Sequence, residues 1–112
     1  MNTAAALLIL LSYTVVDGDT LRANGVGIRL WGIDAPERKE DGGPEAMAAM
    51  ERLTAGAELQ CEVKDVDPYR RIVARCDLPD GRDLACALVA GGWARDWPKY
   101  SGGEYADCRA KQ

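Results

Sequence analysis

The sequence predicts an α+β fold, a small five-stranded antiparallel barrel of the OB type with about three peripheral helices. Three observations predict it. Short β-branched segments separated by turn residues come first, an Ala- and Met-rich amphipathic segment interrupts them, and helical segments close the chain. The 112 residues suit one core, so residues 1–112 are read as a single domain. No Pro/Ser-rich linker, low-complexity run or internal repeat divides them.

Leu8 to Val16 reads as a buried strand ending at the turn signal Asp17-Gly18. Thr20–Ala23 and Val26–Ile33 flank Asn24-Gly25, a strong hairpin signal. A symmetric turn there sets Arg29 opposite Thr20 and Asp19 opposite Leu30, and a bulge at Gly27 would shift this by one. Val26, Ile28 and Leu30 alternate onto one face, so Arg29 points to the other. Pro44 to Ala57 is expected as a helix, with Pro44 in its first turn and a core-facing stripe of Ala46, Met47, Ala49, Met50 and Leu53. Leu59–Val66 and Arg71–Leu78 form the second hairpin around Pro68-Tyr69. Asp83 can cap a helix over Leu84–Ala90, closed by Gly91-Gly92. A third helix is expected to begin near Glu104.

The formal net charge is −4 and the pI about 4.8, which argues against tight, nonspecific nucleic-acid binding by bulk electrostatics but leaves room for a small basic site. There is no histidine, which excludes His-based acid–base chemistry and His-ligated zinc. Of the four cysteines, none form a C-x-x-C pair. A symmetric second hairpin sets Cys61 opposite Cys76, close enough for a disulfide. Two buried thiols are the other reading. The run from Ala4 to Leu11 is long enough for a signal-peptide core, lacks a basic flank, and is too short for a membrane span. Residues 1–7 are thus read either as the remnant of an export signal or as a disordered lead-in to a plain strand. The cysteines tilt the expected location toward the periplasm or the exterior, with the cytoplasm as alternative. No stable membrane association is expected.

The acidic candidates for chemistry are Asp17, Asp19, Asp34 and Glu37; the basic ones are Arg29, Arg70 and Arg71. Hard divalent cations take carboxylate, carbonyl and water oxygens, which two aspartates at strand ends could begin to supply. Taken alone, each aspartate reads as a turn or cap residue.

Three segments in order change that weighing. "VVDGDTLRANGVGIRLWGIDAPE" resembles the front half of the staphylococcal nuclease (thermonuclease) family, which joins an Asp-Gly-Asp-Thr turn to an arginine strand and an Asp-x-Pro-Glu loop. "DPYRR" is similar to its Asp-x-Tyr-Gly-Arg turn and "LACALVAGGWA" to the helix that follows. The resemblance implies an OB-fold nuclease that hydrolyses DNA or RNA phosphodiesters with calcium at low sequence specificity, leaving 3′-phosphates. By position it makes Asp19, Asp34 and the Ala35 carbonyl the calcium ligands. Glu37 becomes the general base, Arg29 and Arg71 the phosphate-binding arginines, and Tyr69 a neighbour of the bound nucleotide. Arg70 stands where the family has glycine, and a positive φ there would strain the turn. Trp97, Tyr100 and Tyr105 are further candidates for base stacking, whereas Trp93 reads as core. Arg75, Arg82 and Arg95 read as surface charges, and Arg22 and Arg38 as candidates to line the groove. A monomer acting on nucleic acid is expected. The alternative is a catalytically inactive OB-fold module that binds nucleic acid in the same groove.

Overall fold

The stretch read as one buried strand is two. β1 (Leu7–Leu10) and β2 (Thr14–Asp17) are separated by a bend at residues 11–13 in the computed structural model, which describes residues 6–111. Five of the seven residues weighed as an export-signal remnant, residues 1–5, lie outside the described region. The bend has a topological cause. The main sheet begins at β1 and ends at β2, so its two edge strands are two halves of one continuous stretch. The chain pairs with one edge, turns, and pairs with the other, curling the sheet into a barrel. Tyr13 fixes the corner by donating its hydroxyl to the Thr54 and Ala57 carbonyls at 2.9 and 2.6 Å. The burial expected of this segment is only partial, because Leu7, Ile9 and Leu11 face outward and are exposed while Leu10 enters the core.

β3 (Thr20–Ala23) and β4 (Val26–Leu30) pair in the register read from Asn24-Gly25, with Thr20 opposite Arg29 and no bulge at Gly27. β5 (Ile33–Asp34) leaves the barrel to pair with β8 (Arg95–Asp96), a two-stranded ribbon that the sequence did not signal. β6 (Leu59–Val66) and β7 (Ile72–Asp77) form the second hairpin. Its register sets Cys61 opposite Cys76, and the two sulfurs are bonded. The barrel is not wholly antiparallel: β4 lies parallel to β7, with Arg29 beside Val73. The intervening helix and β6 carry the chain back so that β7 arrives in the direction of β4. Counting the bent β1/β2 stretch as one strand, the barrel has the five strands expected of an OB fold.

α1 (Gly43–Thr54) seats Ala46, Ala49 and Met50 in the core, and α2 (Leu84–Ala90) seats Leu84, Ala85 and Leu88. Asp83 caps α2, accepting from the backbone of Ala85 at 2.9 Å. The third helix is not where the sequence placed it. α3 is a single turn, Pro98–Ser101, stopped by Gly102 and Gly103, both at positive φ. No helix starts at Glu104. Instead Tyr105, a stacking candidate in the sequence, turns inward, 2 % exposed and so closed to a base, and donates its hydroxyl to Asp83 at 2.7 Å. A last 3-10 turn, Cys108–Lys111, is tied to α2 by the Cys86–Cys108 disulfide. Docking one buried tyrosine stabilises this tail better than a short helix, which is marginal alone. Among the described residues no helix is long and apolar enough to cross a membrane.

The turn between β6 and β7 contains Arg70 at φ +65, a left-handed conformation that side chains with a Cβ resist. Arg70→Gly is expected to raise stability by about 1 kcal/mol, read from the urea midpoint. A lower midpoint would show that the side chain contributes more than its backbone strain removes.

Candidate active site

The site grows from the turn joining β2 to β3. Asp17 at its start accepts the Asp19 N–H through Oδ1 at 3.1 Å, an Asx turn that aims Asp19 inward. Gly18 has to be glycine, since a Cβ there would lie 2.7 Å from Ala46 Cβ and 2.9 Å from Ala35 Cβ. The turn is therefore pressed between α1 and the segment after β5. Asp19, 6 % exposed, accepts from the Ala35 N–H at 2.9 Å and from the Thr20 hydroxyl at 3.0 Å.

Arg29 reaches this carboxylate from the outward face of β4. Its Nη1 lies 2.8 Å from Asp19 Oδ2; Nη2 donates to the Ile33 carbonyl at 3.3 Å and lies 3.5 Å from Asp34 Oδ1. Nη1 is buried, and its charge is met by the Asp19 carboxylate. Asp34 is held from its other side by Arg95, Nη2 to Oδ2 at 3.2 Å, because the β5–β8 register sets the two residues opposite each other.

Asp17 and Asp19 lie close enough to interact. Burial first, then hydrogen bonding to and repulsion from Asp19, push the Asp17 carboxyl up to about 6. Asp17, Asp19 and Asp34 supply carboxylate oxygens, the donor type a hard divalent cation takes, whereas the Ala35 backbone meets Asp19 through its N–H. No group of three or more His, Cys, Asp or Glu side chains forms a ready metal cage among the described residues. The donors fit an ion that completes its shell with carbonyl and water oxygens.

The second arginine is positioned by its own turn. Asp67 accepts from the backbones of Tyr69 and Arg71, both at 2.9 Å, and from Arg71 Nε at 2.6 Å. Arg71 runs along β4 over Gly27, where a Cβ would meet its Cγ at 3.0 Å, and its guanidinium lies 5.6 Å from the Tyr69 ring centroid. Trp97 sits under the Arg29 guanidinium at 5.3 Å and meets Tyr100 edge-to-face at 4.6 Å. A cavity of about 360 Å³ brings Arg29, Arg71, Tyr69, Trp97 and Tyr100 together. Asp34, Ala35 and Glu37 face a different, larger cavity of about 1060 Å³, walled also by Glu40, Asp41 and Glu45. Asp19 lies beneath, joined to both groups through Arg29 and Ala35. The Glu37 side chain is exposed, on a tight turn in which its N–H donates to Glu40 Oε1 at 2.7 Å. Arg22 and Arg38 line a third groove, with Asp17 and Glu37, and not the aromatic cavity.

Sequence reasoning missed two residues here. Arg95 is the surface charge that the sequence predicts, its side chain 82% exposed, but it also pairs with Asp34; nothing local signals this, because the contact depends on pairing between segments sixty-one residues apart. Trp31 lines the aromatic cavity, and its parity with Arg29 along one strand could have shown it. Trp93 is half-buried, with Arg52 5.8 Å from its ring.

A bent-strand barrel with arginines and carboxylates gathered at one rim places the chain among OB-fold proteins with a polar site on the barrel. A family model described as Staphylococcal nuclease homologue matches residues 27–112, and the chain belongs to that family. It is 35% identical over 91 residues to an uncharacterized endonuclease of Escherichia coli, covering 78% of this chain and 60% of that protein. It is 32% identical over 119 aligned residues to the succinoglycan biosynthesis protein ExoI of Rhizobium meliloti, covering 96% of this chain and 62% of that protein. The chain thus spans somewhat under two thirds of the length of these relatives.

The raised Asp17 value has a sign. Protonated Asp17 favours the fold, a contribution fully present below about pH 4 and lost as the pH rises through about 6. Asp17→Asn keeps the acceptor for the Asp19 N–H and removes the charge. It is expected to raise the melting temperature of metal-free protein at pH 7 and to give no gain below about pH 4. Equal gains at both pH values would rule out the carboxyl–carboxyl conflict as its source.

Proposed function

We propose that this chain is a metal-dependent nuclease of low sequence specificity, cutting phosphodiester bonds of DNA or RNA. The observation that carries the proposal is Arg29. It lines a cavity that also holds Arg71 and four aromatic rings, Trp31, Tyr69, Trp97 and Tyr100. Guanidinium groups beside stacking surfaces suit a phosphate with its attached base. Family membership and the E. coli relative's name support the same reading.

In this reading Asp19, Asp34 and the Ala35 carbonyl would hold calcium, which tolerates irregular oxygen shells. When bound, the ion supplies a Lewis acid for a phosphoryl oxygen and a more acidic water. Arg29 and Arg71 grip the phosphate and hold it more tightly as negative charge builds on its equatorial oxygens. Glu37, exposed on its turn, takes the proton of the attacking water, a contribution worth ~10²–10⁴-fold in typical enzymes. Tyr69, Trp97 and Tyr100 stack the flanking bases and keep the strand in line. Arg95 orients Asp34. The domain acts as a monomer in an oxidising compartment, the periplasm or the exterior; the absence of free cysteines supports that placement.

The test is cleavage of single-stranded DNA and RNA by purified protein in calcium and in excess chelator. Asp34→Asn is expected to lower kcat at least ~10²-fold. Arg29→Lys, which leaves Asp19 paired but removes the planar fork, is expected to do the same. Chelation should stop cleavage. Wild-type activity in either folded variant, or full activity in chelator, would reject the assignment. Oligonucleotide bound in calcium but left uncut would instead identify a binding module.

A further inference from the structure

The aromatic cavity is longer than the phosphate grip requires. Beyond Arg29 it continues to Trp31 and Lys64, to which nothing above assigns a role. Their placement follows from strand geometry. Residues 29 and 31 share one face of β4 and its continuation, ~7 Å apart, so Trp31 stands next to Arg29 on the same wall. Lys64 is brought there by a defect in the second hairpin. The β6–β7 pairing runs regularly from Gln60↔Asp77 to Val63↔Ala74, then resumes at Asp65↔Val73, leaving Lys64 as the extra residue of a β-bulge. A bulge re-aims the side chain at its centre. The Lys64 ammonium lies 5.0 Å from the Trp31 ring centroid and 3.3 Å from Glu62. Trp31 is braced by Tyr105, edge-to-face at 5.8 Å, which itself is pinned to Asp83.

We propose that Trp31 and Lys64 form a further nucleotide subsite for single-stranded nucleic acid. Trp31 stacks the base, and Lys64 takes the phosphate, of the nucleotide next to the one gripped by Arg29 and Arg71. The magnitudes favour this exchange. The contacts that hold Lys64 over the ring in the free protein are weak, ~0.5–1 kcal/mol for an exposed cation–π contact and ~0–1 kcal/mol for a surface ion pair. Base stacking on an aromatic ring is worth ~1–3 kcal/mol. An arriving base therefore displaces the ammonium from the ring face, and the displaced ammonium meets the incoming strand's phosphate. The four-carbon stem of Lys64 allows that swing; the braced Trp31 ring stays in place. Stacking on Trp31 requires an unpaired base, which selects single strands.

This subsite rests on the nuclease reading for its placement but is tested by binding alone. Affinities of oligothymidylates two to five nucleotides long are measured in chelator, where no cleavage is expected, across a range of salt. Lys64→Gln should lower the slope of log affinity against log salt by about 0.7, one phosphate contact on a single strand. It should also remove most of the affinity gained on lengthening the probe. Trp31→Leu should weaken the longer probes at least ~5-fold. Arg82→Gln, which removes an exposed charge from a different cavity, controls for net charge. An unchanged slope in Lys64→Gln, or an equal drop in Arg82→Gln, overturns the subsite even if Trp31→Leu fails to fold. A wild-type protein that shows the Lys64 contact but cuts nothing in calcium supports the subsite and rejects the enzyme.

Discussion

The ion pair between Arg29 and Asp19 is the contact on which both the barrel and the site depend. The two side chains are 13% and 8% exposed, so neither charge can be left alone without a large penalty, ~3–5 kcal/mol when one partner of a buried pair is removed. Asp19 also carries the Ala35 N–H and the Thr20 hydroxyl, and Arg29 carries the Ile33 carbonyl. The pair thus joins the first hairpin to the segment that leaves the barrel after β4. The β5–β8 ribbon then fixes the far end of that segment, where Trp97 N–H donates to the Gly32 carbonyl at 2.8 Å. Asp34, Arg95 and Trp97 take their places as consequences of where Asp19 holds Ala35.

Such an arrangement sets a competition inside the site. Arg29 is the residue best placed to grip an anion, yet its two terminal nitrogens already face Asp19, Asp34 and a carbonyl. Nη2 donates to the Ile33 carbonyl and Nη1 is ion-paired to Asp19 at 2.8 Å. Charge compensation for the fold and donor capacity for a phosphate are therefore asked of the same guanidinium, whose planar fork carries more donors than those two contacts use. Lysine could provide the first and not the second.

Local chemistry made much of this legible in the sequence. Asn24-Gly25 determined the β3–β4 register, and with it the face on which Arg29 stands. Asp83 capped its helix as its position before an apolar run implied. The grouping of Asp19, Arg29 and Asp34 was legible only through resemblance, since each aspartate alone reads as a turn residue. What stayed hidden depends on long-range pairing. A continuous apolar run gives no sign that Leu7–Leu10 and Thr14–Asp17 pair with opposite edges of the sheet, so the bend at residues 11–13 went unread. The Arg95–Asp34 contact and the bulge at Lys64 are equally invisible, because each is decided by the partner strand and not by the residues themselves. The tail was misplaced for a related reason. Glu104 onward resembles a helix start, but a burial site for Tyr105 beside Trp31 and Asp83 outweighs the propensity of a few residues.

A net charge of −4 is at odds with the proposal that this protein grips a polyanion, and the distribution of charge resolves it. The larger cavity is walled by Asp34, Glu37, Glu40, Asp41 and Glu45 against Arg95 alone. The aromatic cavity holds Arg29, Lys64 and Arg71 against Asp65 and Asp67, and Asp67 is spent on its own turn and on Arg71. Exposed charges more than ~8–10 Å apart are largely screened from each other at ordinary salt, so a strand senses the wall it touches rather than the total. On the nuclease reading that division has a purpose. The cationic, aromatic wall takes the substrate, and the acidic wall, which favours cations and water, is left to the attacking side. A single strand can follow the first wall alone.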